Sequence, residues 1–304
     1  GYCRRGRDDP VAAGAWGLVM TWRAAQDGDL DWIQSFLMEN LQSSMFLLSN
    51  LRDHGIHDRT SDKGMTIWLS EGAAPGVFAI TNSGMILLQA PNADAAMWRR
   101  ANDLIADRLV LTGCLGETGQ VRAFLTSAGL NDLPTLINDD EPAFRLDLAE
   151  LAMPQGQRGE LALLSAVPDD LIVKWRTEYH LEVMGAPEAK AASLAETDIA
   201  SYIEKDSHRI LLIDGQPVAM TGFNATLPSV VQIGGVYTPP DLRGRGYARL
   251  ALALHLQEAR TKGVTKSILF AASTAAVRAY MSLGYQRAGE FSLVIFDTYG
   301  KETA

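Results

Sequence analysis

The run from Val230 to Ala248 constrains this chain more than any other stretch, because three backbone states follow one another there without a spacer. Val230 to Thr238 is β-branched and apolar, the composition of a buried strand. Pro239 and Pro240 end it, since neither can donate a ladder hydrogen bond. Gly244 and Gly246 permit a sharp turn and let a ligand come close to the backbone. Leu250, Ala251, Leu254 and Ala259 then recur at helical spacing. A strand that passes through a glycine turn into a helix leaves the first helical N–H groups without partners, and such a terminus attracts anions. A basic surface loop would use the same letters, so the downstream pattern has to decide between the two.

Two phosphate loops are excluded. There is no Gly-x-x-x-x-Gly-Lys-Ser/Thr, and no Gly-x-Gly-x-x-Gly with an acidic residue on the next strand. What stands here is Arg-x-x-Gly-x-Ala, from Arg243 through Gly246 to Ala248. Gly263 suits the end of the helix, and Ser267 to Ala272 reads as a short buried strand. Ser273 or Thr274 can cap a helix with Val277, Tyr280 and Met281 on one side, Gly284 stops it, and Phe291 to Phe296 makes a last strand. Over residues 230–296 this order resembles the GNAT superfamily of acyl-CoA-dependent N-acyltransferases. That family writes its pyrophosphate loop Gln/Arg-x-x-Gly-x-Gly/Ala, and a later segment Asn-x-x-Ala-x-x-x-Tyr-x-x-x-Gly-Phe/Tyr. Ser273, Ala276, Tyr280, Gly284 and Tyr285 match the second pattern, except that Ser273 stands for Asn and offers fewer hydrogen-bonding groups.

The resemblance implies an α/β fold, with a mixed sheet of α+β character flanked by helices and with the fourth and fifth strands splayed apart. It implies acetyl-CoA as co-substrate and a primary amine as acceptor. The pantetheine arm would pair with backbone of Val236 and Thr238, with Tyr237 between them, and Gly234-Gly235 would suit a bulge. An N–H near Val236 would hold the oxyanion. The pyrophosphate would lie on N–H groups of Arg243, Gly244, Arg245, Gly246, Tyr247 and Ala248. A helix terminus gives an exposed anion only about 0.3–1 kcal/mol, so the two arginines must share that work. Ser273 and Ala276 would flank the arm, and Tyr280 would be the general acid. The base is less evident. A lysine-like amine, with a pKa of about 10.4, is almost fully protonated at neutral pH. Gln232 stands where some relatives carry a strand carboxylate, and an amide cannot accept that proton. Glu178 and Glu182, four residues apart on a predicted helix, are the candidates, against the plainer reading of a solvated helix face.

At 304 residues the chain has room for two domains. A hydrophobic share of 47% and a charged share of 21% suit a soluble globular protein, and no apolar run is long enough for a bilayer. Cys3 and Cys114 alone support neither a disulfide framework nor a zinc site, so no metal is expected. A net charge of −9 argues against a nucleic acid partner and is compatible with a cationic acceptor. The expected setting is cytoplasmic, away from membranes. An internal echo explains the length: Val121-Arg122-Ala123-Phe124 answers Val277-Arg278-Ala279-Tyr280, and Asp27-Gly28-Asp29-Leu30 answers Pro168-Asp169-Asp170-Leu171. The expected division is an extension at 1–19, a first GNAT-like copy at 20–153, a linker at 154–159 and a catalytic copy at 160–304. Pro91-Asn92-Ala93-Asp94 replaces the glycine turn in the first copy, and Phe124 replaces Tyr280. That copy therefore reads as degenerate, a layout that looks like that of mycothiol synthase. No acceptor-binding residue matches, so its substrate is not carried over. Two tandem copies suit a monomer, with a homodimer the other option. Competing readings are a non-catalytic acyl-CoA-binding module and a longer acyl donor admitted near Gly222 and Phe223.

Overall fold

One order of elements occurs twice in this computed structural model, which describes residues 21–156, 158–271 and 273–298. The expected extension at 1–19, with Cys3, lies outside the described residues. The first unit runs β1 (Arg23–Ala24), α1 (Leu30–Glu39), α2 (Leu41–His54), β2 (Met65–Ser70), β3 (Gly76–Thr81), β4 (Met85–Gln89), α3 (Ala95–Asp103), β5 (Gly113–Glu117), α4 (Thr118–Ala128) and β6 (Thr135–Asp147). The second runs β7 (Glu160–Leu163), α5 (Asp169–Glu182), α6 (Glu188–Glu204), β8 (His208–Ile213), β9 (Gln216–Thr226), β10 (Val230–Tyr237), α7 (Tyr247–Thr261), β11 (Lys266–Phe270), α8 (Thr274–Met281) and β12 (Gln286–Phe296). Neighbouring strands pair antiparallel except β4 with β5 and β10 with β11, which are parallel and joined through α3 and α7.

All twelve strands form one mixed sheet, in the order β1-β2-β3-β4-β5-β12-β6-β11-β10-β9-β8-β7. The closing strands are exchanged. β12, from the end of the chain, lies between β5 and β6, while β6 lies between β12 and β11. The exchange carries core residues with it. Phe291 packs among Ile33, Leu47 and Leu87 of the first unit, and Val294 and Phe296 join Phe78 and Phe124 on the opposite face. In return, Phe144, Leu146 and Leu148 pack with Leu252, Leu256 and Leu283 of the second unit. Each large apolar side chain buried in this way contributes about 1.5–3 kcal/mol, so the two units are joined by core packing as well as by a ladder.

β6 starts at Thr135. Asn138-Asp139-Asp140-Glu141-Pro142 has the letters of a loop, yet β12 supplies it with an antiparallel partner. Pro142 sits at the register shift between Arg287 and Glu290, a place where a missing donor is tolerated. Among the described residues, no helix is long and apolar enough to cross a membrane.

Candidate active site

The parallel ladder between β10 and β11 ends at the pair Gln232–Ile268, although both strands continue beyond it. The gap that opens is made by β10, whose register against β9 shifts after Gln232 and again after Gly234. Gly235 takes a φ of +65°, and a Cβ on it would stand 2.7 Å from His208 Nε2. A Cβ on Gly234 would overlap the Asn224 amide. The two glycines thus let the strand buckle where a side chain would hold it flat, as expected of a bulge.

A buried polar cluster backs the buckle. The Asp198 carboxylate accepts from Arg176 Nε at 2.7 Å and lies 2.8 Å from His180 Nε2. The His208 ring stacks on Tyr202 at 3.6 Å and meets the Ser207 hydroxyl through Nδ1 at 2.8 Å. Burial, with Arg176 nearby, pushes the His208 pKa well below its usual value, so the ring is neutral. His208 also fills the space against Gly222, and Phe223 stacks on His255.

A cavity of about 560 Å³ occupies the gap. Gln232 to Val236 form one wall, and Ala271, Ser273, Ala276 and Tyr280 form another. Burial, then Tyr179 and Glu141, push the Tyr280 hydroxyl up to about 12. It keeps its proton at neutral pH and is poised to give it to a stronger base. Ser273 caps α8, its hydroxyl accepting from Ala276 N–H at 3.2 Å, so part of its bonding capacity is already used.

The glycine loop lies beside the far end of β10. Gly244 and Gly246 have φ of +77° and +79°, a region that favours glycine. Gly246 is the N-cap of α7 and supplies no side-chain acceptor, so Tyr247 and Ala248 open a helix whose first N–H groups lack intrahelical partners. Arg243 donates to Thr238 O at 2.9 Å and pairs with Glu182 at 2.5 Å. Arg245 donates to Asp241 O at 3.2 Å. Tyr237 donates its hydroxyl to Glu178 at 2.8 Å, and burial, reinforced by that carboxylate, holds its pKa far above the usual value. Glu178 and Glu182 are therefore engaged with Tyr237 and Arg243, and neither lines the cavity.

The first unit has a corresponding gap, a cavity of about 390 Å³ lined by Ser43, Gln89, Ala90 and Gln120, but side-chain bonds span it. Its β4–β5 ladder ends at Leu87–Leu115. Beyond that pair, Gln120 Oε1 accepts from Ala90 N–H at 2.6 Å, and Gln89 Oε1 accepts from the Ser43 hydroxyl at 2.7 Å. Asp94 caps α3, accepting from Met97 N–H at 2.8 Å, and so places a carboxylate where a phosphate would have to lie. Phe124 is fully buried against Phe78 and Trp98.

Three titratable residues of the cavity escaped the sequence reading: Asp139, Glu141 and Tyr179. The alternation of Asp139, Asp140 and Glu141 was the available signal. On a strand it sends Asp140 to one face, where Arg122 holds it at 2.6 Å, and the other two to the opposite face. His54 and His57 lie apart from the cavity, paired with Asp58 and Asp27.

Residues 172–285 match the acetyltransferase (GNAT) family. Among curated proteins, none matches the sequence. Similar solved structures include a tandem GNAT protein from the clavulanic acid biosynthesis pathway, 15% identical, with a TM-score of 0.54 over 91% of this chain and 97% of that one. A Drosophila protein is 13% identical, with a TM-score of 0.61 over 91% and 99%. A GCN5-related N-acetyltransferase from Sphaerobacter thermophilus is 16% identical, with a TM-score of 0.55 over 91% and 95%. At these identities the likeness is one of fold, and it spans both units.

Proposed function

We propose that this chain, of which residues 172–285 match the acetyltransferase (GNAT) family, transfers an acetyl group from acetyl-CoA to a primary amine, and that the second unit alone is catalytic. The observation that carries this reading is the open β10–β11 gap, with Tyr280 on its wall and the uncapped start of α7 at its end. Bound acetyl-CoA would supply an electrophilic thioester carbonyl and a thiolate leaving group. N–H groups from Arg243 to Ala248 would hold its pyrophosphate, and Arg243 would exchange part of its bond to Glu182 for phosphate oxygens. Backbone of Val236 and Thr238, flanking Tyr237, would pair with the pantetheine arm, between Ser273 and Ala276. An N–H near Val236 would stabilise the tetrahedral oxyanion, and Tyr280 would protonate the departing sulfur. No metal is assigned a role. The setting proposed is the cytoplasm, where acyl-CoA is available, and the form proposed is a monomer, because the continuous sheet already joins two units.

The alternative, a module that binds acyl-CoA without turnover, draws support from the Ser273 hydroxyl being used as a cap and from Gln232 in place of a carboxylate. Calorimetric titration of acetyl-CoA into the wild type and Gly246→Asp tests the cofactor loop. One site per chain in the wild type and none in the variant is expected, since a carboxylate there would block and repel phosphate. Release of free CoA in the presence of amines then separates enzyme from module. A wild type that takes up no acetyl-CoA at saturating concentration would overturn both.

A further inference from the structure

β6 belongs to the first unit by sequence but runs beside the second unit's cleft. Ala143 pairs with Phe270, and Ala271 N–H donates to Pro142 O at 3.2 Å, so Glu141 arrives where β11 ends and the Ser273 cap begins. The period of two turns Ile137, Asp139 and Glu141 into the cavity. Asp140, on the other face, is held by Arg122 and the Ser292 hydroxyl. Neither the Asp139 nor the Glu141 carboxylate has a hydrogen-bond or ion-pair partner among the described residues.

A second observation is independent of the acids. Gln232 is 1% exposed and lines the same cavity, and its Oε1 has no donor. An acceptor buried in this way is costly unless a ligand satisfies it. Two carboxylates and an orphaned amide oxygen around one cavity suit a donor-rich cation, and an ammonium has three N–H groups to give. One part of the remaining lining is apolar and flat. Phe270 and Phe291 stack at 4.0 Å and 11°, with Phe46 6.1 Å from Phe291 and with Leu115 and Leu293 beside them.

Building on the acyltransferase reading, we propose that the exchanged strand of the first unit supplies the acceptor site: Glu141 deprotonates a primary ammonium, Asp139 holds its charge, and the aromatic wall selects an amine with a flat apolar body. Burial, then Asp139, raise the Glu141 pKa, which makes it a better base near neutral pH than a free carboxylate. The groups facing it are Asp139 on its own strand, Tyr179 from α5 and Tyr280 from α8. On β12, Glu290 is paired with Arg287. Glu141 takes one ammonium proton, and the freed lone pair forms the N–C bond while the carbonyl π pair moves to oxygen. That pair returns as the C–S bond breaks, and the sulfur takes the Tyr280 proton. A second nitrogen proton restores the tyrosine, the third stays on the amide, and Glu141 releases its proton to solvent. One proton is therefore liberated per turnover.

The test uses 2-phenylethylamine and its uncharged counterpart 2-phenylethanol, titrated calorimetrically into the full chain and into Glu141→Gln and Asp139→Asn. The amine is expected to bind the wild type at least tenfold more tightly than the alcohol, and each variant is expected to lose most of that preference. In turnover, Glu141→Gln should lower kcat by about 100-fold at neutral pH, with activity returning as pH rises and free amine accumulates. Asp139→Asn should raise the amine KM about tenfold through lost binding, and lower kcat by less than Glu141→Gln does, since the base itself remains while the charge that supports its raised pKa is gone. Equal binding of amine and alcohol, or a Glu141→Gln chain with wild-type kcat at neutral pH, overturns the proposal. Acetyl-CoA titrated into the same three proteins separates the two readings. If it binds none of them, the acyltransferase reading fails, while the amine–alcohol comparison still decides the acceptor site.

Discussion

At the scale of single residues, chemistry here depends on small atoms in tight places. Tyr280 keeps its proton because burial raises its pKa to about 12. Tyr280→Phe should therefore cut kcat by about 100-fold or more while acetyl-CoA binds as before, a split that steady-state kinetics with calorimetry reads directly. Gly235→Ala should be worse for folding than for any one contact. It forces a φ of +65° on an L-residue and brings a Cβ within 2.7 Å of His208 Nε2. A cost of about 1–3 kcal/mol follows from the backbone alone, visible as a lower midpoint in urea. The Arg-x-x-Gly-x-Ala loop and Tyr280 were legible in the chain because their spacing is local. Glu141 was not, since an acidic stretch says nothing about which cavity its alternate side chains will face.

At the scale of elements, the second unit's strands are held to α5, α6 and α7 by buried polar groups that titrate. His255, on α7, stacks on Phe223 of β9 at 3.9 Å, and burial, then Arg209, lower its pKa to about 3. The unfolded chain binds this proton near pH 6.5. Between about pH 6.5 and 3 the unfolded state thus holds more protons than the folded one, so stability present above pH 6.5 is lost progressively on acidification. His208 acts in the same direction. His255→Gln is expected to flatten the fall in urea midpoint between pH 6.5 and 4, and an unchanged slope would refute this account. Several helix and strand positions of the second unit could be read from apolar period and glycine stops, β10 at Val230–Tyr237 among them. The middle of β6 could not, because Asn138 to Pro142 has the letters of a loop and becomes a strand where β12 lies beside it.

At the scale of the whole molecule, exchange of β6 and β12 makes each unit depend on the other. Expressed alone, residues 21–153 would lack the β12 ladder along β5 and the packing of Phe291, Val294 and Phe296. Neither half is expected to fold by itself, whereas the two halves co-expressed with a cut between 154 and 159 should assemble with cooperative unfolding. Circular dichroism of each half settles this, and a well-folded, cooperative first half would contradict it. The sequence by itself determined the two-copy order of elements, the glycine turn before α7 and the lack of such a turn in the first copy, because periodicity, glycine placement and capping act over a few residues. Tertiary structure decided that the closing strands cross over, that Glu178 and Glu182 serve Tyr237 and Arg243, and that the free carboxylates in the cleft come from the first unit. Those outcomes depend on which strand finds which edge, and strand pairing between distant segments leaves little mark on local spacing.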